Sequence, residues 1–299
     1  MTGVRVSSEL VRAVGQSGFK GTPRRLLREA RRYPLGAFGF TVIGLVVLMA
    51  LLAQLLAPYA PLKVATGLSL DGPSAQHLLG TDQLGRDLLS RLIYGARVSI
   101  YVGFIAVGVG ASIGVPIGLI SGFYGGFVDG ILMRIVDAII AFPALVLALG
   151  MVATFGGGIE VVMIAIGVAI MPQYARIVRA QVLGVKNADY ILAARTVGAG
   201  GARILVRHIA PNVWAPVLVV ATLGLANAVV AEASLSFLGI GVKPPQPTWG
   251  NMLSDGREYI LFYPWIPLFP GLAILVTVLG FNFLGDGLRD LLDPHMKDS

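Results

Sequence analysis

The chain has 299 residues, of which 56% are apolar and only 13% charged, with 23 lysines and arginines against 16 acids. A soluble protein is about 25% charged, so the composition points to the membrane class, and the formal charge of +7 reads as arginine held on one side of a bilayer rather than as a nucleic-acid footprint. Without cysteine, a disulfide framework, a thiolate metal site and thiol redox chemistry are excluded.

Residues 1–35 form a basic tail carrying Arg5, Arg12, Lys20, Arg24, Arg25, Arg28, Arg31 and Arg32. Leu26, Leu27 and Ala30 among those arginines suit a short surface helix on anionic headgroups, or a solvated tail that fixes orientation. The first apolar run starts near Phe38, too late and too long for a signal peptide, and reads as a retained anchor, span 1, Phe38 to Ala57. With the polar segment behind it, it forms a unit 36–97 ahead of a core of five spans, 98–288. In that polar segment His77, Asp82 and Asp87 match no common metal-ligand spacing, and GTDQLGRDLLSRL reads as a turn, an N-cap and an amphipathic helix.

Span 2 is expected from Val98 to Ser121. Its GASIG is a formal match to the serine-hydrolase elbow around Ser112, but that elbow needs a strand-turn-helix setting with a histidine and an acid, so the match reads as chance. Gly110, Gly114, Gly118, Gly122, Gly126 and Gly130 recur every fourth residue. Glycines at that interval cut a groove along one helix face and let another helix approach closely, so this face is expected to pack on protein, including the spans of a partner. Span 3, Ile131 to Phe155, carries Arg134 and Asp137 one turn apart, placed to pair or cap, and Pro143, which should kink it. Span 4, Ile159 to Tyr174, is short, with Pro172 near its end.

Arg176 and Arg179 lead into Ala188–Asn212, within a polar loop 176–212. This stretch is too long and too patterned for a mere connection and reads as a docking element. Span 5 follows from Val213 to Phe237, with Glu232 near its far end, then an outer loop 238–259 holding Pro245 and Trp249. Span 6, Ile260 to Leu284, and a tail ending in 289–299 close the chain. Six spans put both ends on one side. The segments on that side hold 17 basic residues against 6 on the other, which assigns both termini and the long loop to the cytoplasm. The sequence has no phosphate-binding loop, so it does not bind ATP that way. Intramembrane acids are functional candidates by default; Glu232, near a span end, reads as a packing or capping residue or, together with Pro245 and Trp249, as a candidate gate or outer-loop residue.

ADYILAARTVGAGGARILVRHIAPN resembles the cytoplasmic EAA loop of bacterial ABC importer permeases: Ala193, Ala194, Gly198 and Pro211 fall on its Ala-Ala-x3-Gly spacing, with the proline thirteen residues on. Leu192 stands where that family usually has glutamate, and Ala210 where leucine is common. HLLGTDQLGRDLLSRLIYGARVSI, GFYGGFVDGILMRIVDAIIAFPALVLA and AEASLSFLGIGVKPPQPTWGNML are similar, in order, to the "C"-type permeases of dipeptide and oligopeptide importers. The resemblance implies an all-α, polytopic membrane protein with six transmembrane helices in the type I ABC importer permease architecture, placed in a bacterial inner membrane. It implies a coupling helix that sits in a cleft of an ATPase, drawing on Asp189, Tyr190, Ala193, Ala194, Arg195, Gly198, His208 and Pro211; the spacing itself, not the resemblance, gives helix packing through Gly110, Gly114, Gly118 and Gly122. Implied partners are a homologous "B"-type permease, two cytoplasmic ATPase subunits or one fused ATPase, an extracytoplasmic binding protein and the lipid bilayer, but no nucleic acid. The chain itself would be non-catalytic and free of cofactors and metal, with ATP and Mg on the ATPases. The same architecture could carry nickel, glutathione or another small solute. An intramembrane hydrolase built on Ser112 is the reading from a different class, and no base is placed to activate that serine.

Overall fold

The computed structural model describes residues 33–292. The basic stretch 1–32, with its surface-helix expectation, and the tail 293–299 lie outside the described residues. Within 33–292 the secondary structure is helical. The first helix, α1 (Pro34–Leu51), begins with proline at N1, where the missing N–H costs nothing. A one-turn helix, α2 (Ala53–Leu56), follows.

The second long helix, α3, runs Leu88–Tyr124, 37 residues. Asp87 caps it, accepting from the Ser90 N–H at 2.8 Å. At 1.5 Å per residue it is about 55 Å long, well beyond the ~30 Å hydrocarbon core. Val98 therefore marks where the helix turns apolar, ten residues past where it starts, and the expected amphipathic helix and span 2 are one rod.

Span 3 is broken rather than kinked. Helices α4 (Gly126–Ile140) and α5 (Ala144–Phe155) meet at an 85° bend. Pro143 has no N–H to continue the helix and disfavours helical backbone at Phe142, so it becomes the N-cap of α5. Next comes α6, Ile159–Val185, with Pro172 inside it. Span 4 was expected to stop at Tyr174. The helix carries on to Val185, and along it Arg176 and Arg179 find acidic partners on α4.

The expected loop Ala188–Asn212 divides in two. Its first part is a separate helix, α7 (Asp189–Thr196). Its second part is already the start of α8, which spans Gly201–Phe237. A π turn, Leu205–Ile209, lies near that start, where the Ala210 N–H reaches back five residues to the Leu205 carbonyl. It sits just before Pro211, which has no N–H for the Arg207 carbonyl, a local cause for the register change. A short helix, α9 (Trp249–Gly256), precedes the last long one, α10 (Trp265–Leu292).

The packing register orders these rods. Gly110 lies against Gly167 and Ile170, Gly114 against Met171 and Tyr174, Gly118 against Ala175 and Val178, and Gly122 against Val182. Both numbers rise together, so α3 and α6 are parallel. The chain between them must return across the same height, which makes the bent α4–α5 pair a crossing in two pieces and the sixth span. Against α3, α8 runs antiparallel, with Ser99 beside Glu232 and Gly103 beside Val229. Antiparallel packing also joins α1 to α10, where Gly36 meets Gly287 and Gly39 meets Gly280 and Leu284. The start of α1, the α3–α4 turn, α7, the start of α8 and the end of α10 therefore share one end of the bundle, called the loop end below. Residues 57–87, the glycine turn 156–158 and the segment 238–264 with α9 share the opposite end.

The glycine seam holds four of the six expected positions. Gly126 and Gly130 face open space, and Gly125 and Gly126, at φ of 67° and 52°, make the turn into α4. The seam is also internal, formed with the chain's own α6 and not with a partner.

Candidate coupling surface and translocation groove

At the loop end, α7 has Asp189 in its first turn and Arg195 in its last, each complementing the helix dipole. Ile191 is fully buried and Ala194 half-buried, which pins one side of the helix to the bundle. Tyr190, Leu192, Ala193, Arg195 and Val197 face outward, Val197 at 84% exposure. Gly198 ends the helix at φ +80°, a left-handed conformation that suits glycine. Its N–H bonds the Arg195 carbonyl at 2.9 Å, and the Ala199 N–H bonds the Ala194 carbonyl at 3.0 Å. This is a Schellman closure, with Ala199 and Ala194 as its apolar pair. Five expected coupling residues, Asp189, Tyr190, Ala193, Ala194 and Arg195, thus lie on α7, and Gly198 caps it. His208 and Pro211 belong to α8. Asn212 links the two helices, donating from Nδ2 to the Tyr190 hydroxyl at 3.2 Å. Lys186, just before α7, donates to the Gly122 carbonyl at 3.1 Å.

A groove of about 680 Å³ runs between α4–α5, α6 and α8. Apolar side chains such as Ile140, Leu145, Ile170 and Val230 line it, and Gln173, Asn227, Ser234 and Arg176 supply its polar groups. Amides and hydroxyls set in an apolar wall are the usual make-up of a small-molecule path. Towards the loop end lies a second cavity of about 550 Å³, bounded by Asp129, Arg134, Asp137, Arg176 and Arg179. Arg176 lines both. These groove residues were not identified from the sequence; no local spacing links Gln173 to Asn227 or Asp137 to Arg176.

Two ion pairs cross that second cavity. Arg179 grips Asp129 with two bonds, Nε at 2.6 Å and NH2 at 2.7 Å, and the Ser121 hydroxyl also donates to this carboxylate. Arg176 makes one bond to Asp137, at 2.7 Å. The sequence places Asp137 to pair with Arg134, one turn away on its own helix, or to cap. Its bond to Arg176 instead ties α4 to α6. Bidentate charge-assisted pairs are the strong kind, whereas single exposed pairs contribute only about 0.2–1 kcal/mol.

The opposite end is built from buried polar side chains. Glu232 is fully buried and accepts from the Ser99 hydroxyl at 2.9 Å and the Ser236 hydroxyl at 2.8 Å. Trp249, also fully buried, donates from Nε1 to the Leu92 carbonyl at 3.0 Å. Both sit in the joint of α3, α8 and α9, while Pro245 is exposed on the loop ahead of α9. His77 Nδ1 and Asp87 Oδ1 are 2.9 Å apart, and the His77 ring is stacked near Tyr59. Asp82 takes Arg86 Nε at 2.6 Å and Arg91 Nε at 3.4 Å. His77, Asp82 and Asp87 thus work as internal ties of the 57–91 segment. Ser112 donates to the Val109 carbonyl of its own helix at 2.9 Å.

Comparison with known proteins gives this arrangement a family. Residues 114–298 match the model described as binding-protein-dependent transport system inner membrane component, and residues 24–73 match the N-terminal TM domain of oligopeptide transport permease C. The dipeptide transport system permease protein DppC of Escherichia coli (strain K12) is 50% identical over 265 residues, covering 87% of this chain and 88% of that one. Its namesake from Alkalihalophilus pseudofirmus is 42% identical over 274 residues, covering 92% and 90%. A putative peptide transport system permease protein of Brucella suis biovar 1 is 44% identical over 284 residues, covering 95% and 94%. Among solved structures, a chain of the MetNI methionine ABC transporter in an inward-facing conformation superposes with a TM-score of 0.57 at 20% identity, covering 69% of this chain and 98% of that one. That likeness is one of fold: the helical architecture is that of a type I ABC importer permease. The parallel α3–α6 seam, the split third span and the isolated α7 are the architecture of a chain that belongs to the binding-protein-dependent transport system inner membrane component family.

Proposed function

We propose that this chain is the non-catalytic transmembrane subunit of an ATP-driven importer of dipeptides and oligopeptides, and that it forms half of the translocation path. The observation that carries the cargo is the 50% identity, over 265 residues, to a protein named as a dipeptide permease. The groove supports it, because Gln173, Asn227 and Ser234 offer hydrogen bonds suited to a peptide backbone inside an apolar wall. A homologous "B"-type permease supplies the other half, against the apolar face on which Phe127, Ile135, Phe142 and Val146 are exposed. An extracytoplasmic binding protein delivers the peptide, and two ATPase subunits, or one fused ATPase, hold ATP and Mg.

Coupling runs through α7. Its outward face docks on the ATPase, and the Tyr190–Asn212 bond carries rigid-body motion into α8. The bias between the two states comes from nucleotide bound to the partner, since a shift needs a ligand with different affinity for each. The loop end faces the cytoplasm and the chain lies in a bacterial inner membrane with both termini inside. On the other side Arg86 and Arg91 are buried and paired with Asp82, so the free positive charge there is lower still than the residue count suggests. Gly198→Leu tests the coupling. It forces a side chain into left-handed backbone at a position with open space around it, straining the end of α7 by about 1–2 kcal/mol. Proteoliposomes holding the whole importer should then hydrolyse ATP with little peptide uptake, and uptake at the wild-type rate would exclude α7 as the coupling element.

A further inference from the structure

The charged cavity at the loop end of the groove has a composition of its own. Three arginines, Arg134, Arg176 and Arg179, face two acids, Asp129 and Asp137. Asp129 is committed to the bidentate Arg179 contact and to Ser121. What remains is one acid and two arginines. Arg134 is exposed and has no bonded partner among the described residues. The Arg176–Asp137 pair is joined by a single contact, and its side chains are 53% and 52% exposed, against 34% and 19% for Arg179 and Asp129. One pair is a fixed clamp, and the other can exchange partners.

The groove above supplies hydrogen bonds but, apart from Arg176, no charge. A small peptide passing through it carries an ammonium group at one terminus and a carboxylate at the other. Charges without partners are costly away from bulk water. We infer that the cavity is a relay site for a zwitterionic peptide: the Asp137–Arg176 pair opens, Asp137 takes the peptide's ammonium group, and Arg176 and Arg134 take its carboxylate. The spacing fits. Arg134 and Asp137 are neighbours at i and i+3 on one face of α4, roughly 5–6 Å apart at Cβ, and a dipeptide spans at most about 7 Å. Planar guanidinium suits bidentate carboxylate recognition. The excess of one positive charge draws the carboxylate end in, and the re-formed Asp137–Arg176 pair releases both termini together. No bond is made or broken in the peptide.

This inference rests on the peptide reading of the cargo. The test uses the complete importer in proteoliposomes, with its binding protein saturated by radiolabelled dialanine. The measured quantity is dialanine taken up per ATP hydrolysed. Asp137→Asn, Arg176→Gln and Arg134→Gln should each lower it roughly tenfold, the loss of one charge-assisted hydrogen bond. Arg134→Gln is the variant that cannot act through a lost ion pair within the chain. The swap Asp137→Arg with Arg176→Asp restores the ion pair but reverses its polarity, and should not restore transport. Rescue by the swap, or uptake and ATP hydrolysis falling in step, would show a pair that only holds α4 on α6. Arg134→Gln taking up as much dialanine per ATP as the wild type also defeats the relay while leaving the cargo reading intact. A wild-type importer that takes up no dialanine defeats the cargo reading, and the relay with it.

Discussion

At the end carrying His77 and Trp249, polar side chains turn inward and find partners within the chain: His77 with Asp87, Asp82 with Arg86 and Arg91, Glu232 with Ser99 and Ser236. At the loop end, α7 turns Leu192, Arg195 and Val197 outward and anchors itself through Ile191. At the first end the buried charged side chains pair within the chain; at the second, α7 holds Leu192, Arg195 and Val197 in the open. Buried charge is stable only when paired, so removing one side chain from the first end should cost the fold. Exposed side chains on a short helix cost the fold little when changed, and on the proposed reading of α7 they are where a partner docks. The same substitution chemistry should therefore read out as stability at one end and as partner binding at the other.

The largest effect is expected at the α3–α6 seam, which joins the two ends. A Cβ at Gly118 would lie 2.5 Å from the Ala175 carbonyl oxygen and 2.7 Å from the Val178 Cβ. Backbone cannot step aside as a side chain can, so a whole leucine here should exceed the roughly 1–3 kcal/mol of ordinary core overpacking. Gly118→Leu should lower the melting temperature of the purified chain in detergent and broaden its size-exclusion profile, with or without any partner subunit. A wild-type melting curve for the lone chain, with assembly alone impaired, would move the seam to a partner interface.

A smaller loss is expected at the opposite end. Asp87→Ala removes the N-cap of α3 and the partner of His77 in one step. Caps contribute about 0.5–2 kcal/mol, and an unpaired buried polar group costs about 1–3 kcal/mol. Both costs rest on one carboxylate and do not fully add, so a stability loss of about 1.5–3 kcal/mol follows, read by thermal unfolding. Hydrogen exchange should rise in 57–91 and stay unchanged in α7. Equal deprotection of α7 would mean that the two ends are not independent.

Local chemistry made part of this legible in the sequence. Four-residue glycine spacing marked the face of α3 that meets α6, GTDQLGRDLLSRL announced a capped helix start, and Pro143 marked a kink where the third span breaks. What escaped depends on distant partners. Arg176 and Arg179 looked like the beginning of a loop because their acids, Asp137 and Asp129, are 39 and 50 residues away. Once paired, those arginines are compatible with a helix that continues to Val185. His77 and Asp87 matched no ligand spacing because they are ties between a folded-back segment and a helix cap. The groove is assembled from α4–α5, α6 and α8, and no window of sequence contains it. The start of α8 was mistaken for loop because Arg203, Arg207 and His208 make it polar, although it is helical from Gly201.

The smallest effect on the fold, and the sharpest test of the contrast between the ends, is expected at Leu192. It stands where related loops usually carry glutamate, and it is exposed on α7. Leu192→Glu touches nothing buried, so stability should change by less than about 0.5 kcal/mol. On the proposed docking of α7, its effect falls on the ATPase interface. If α7 docks by shape and apolar contact, through Leu192 and Val197, a glutamate there must be desolvated without a known partner, and ATPase association should weaken several-fold with little dependence on salt. If the ATPase cleft instead keeps a basic residue for the missing carboxylate, the variant binds more tightly at low salt, and the gain fades as the ionic strength rises and screens the pair. Pull-down of the ATPase across a salt series separates the two. Asp189, one turn before Leu192 on the same helix, supplies the control: Asp189→Asn should steepen or flatten that salt dependence only where charge carries the docking.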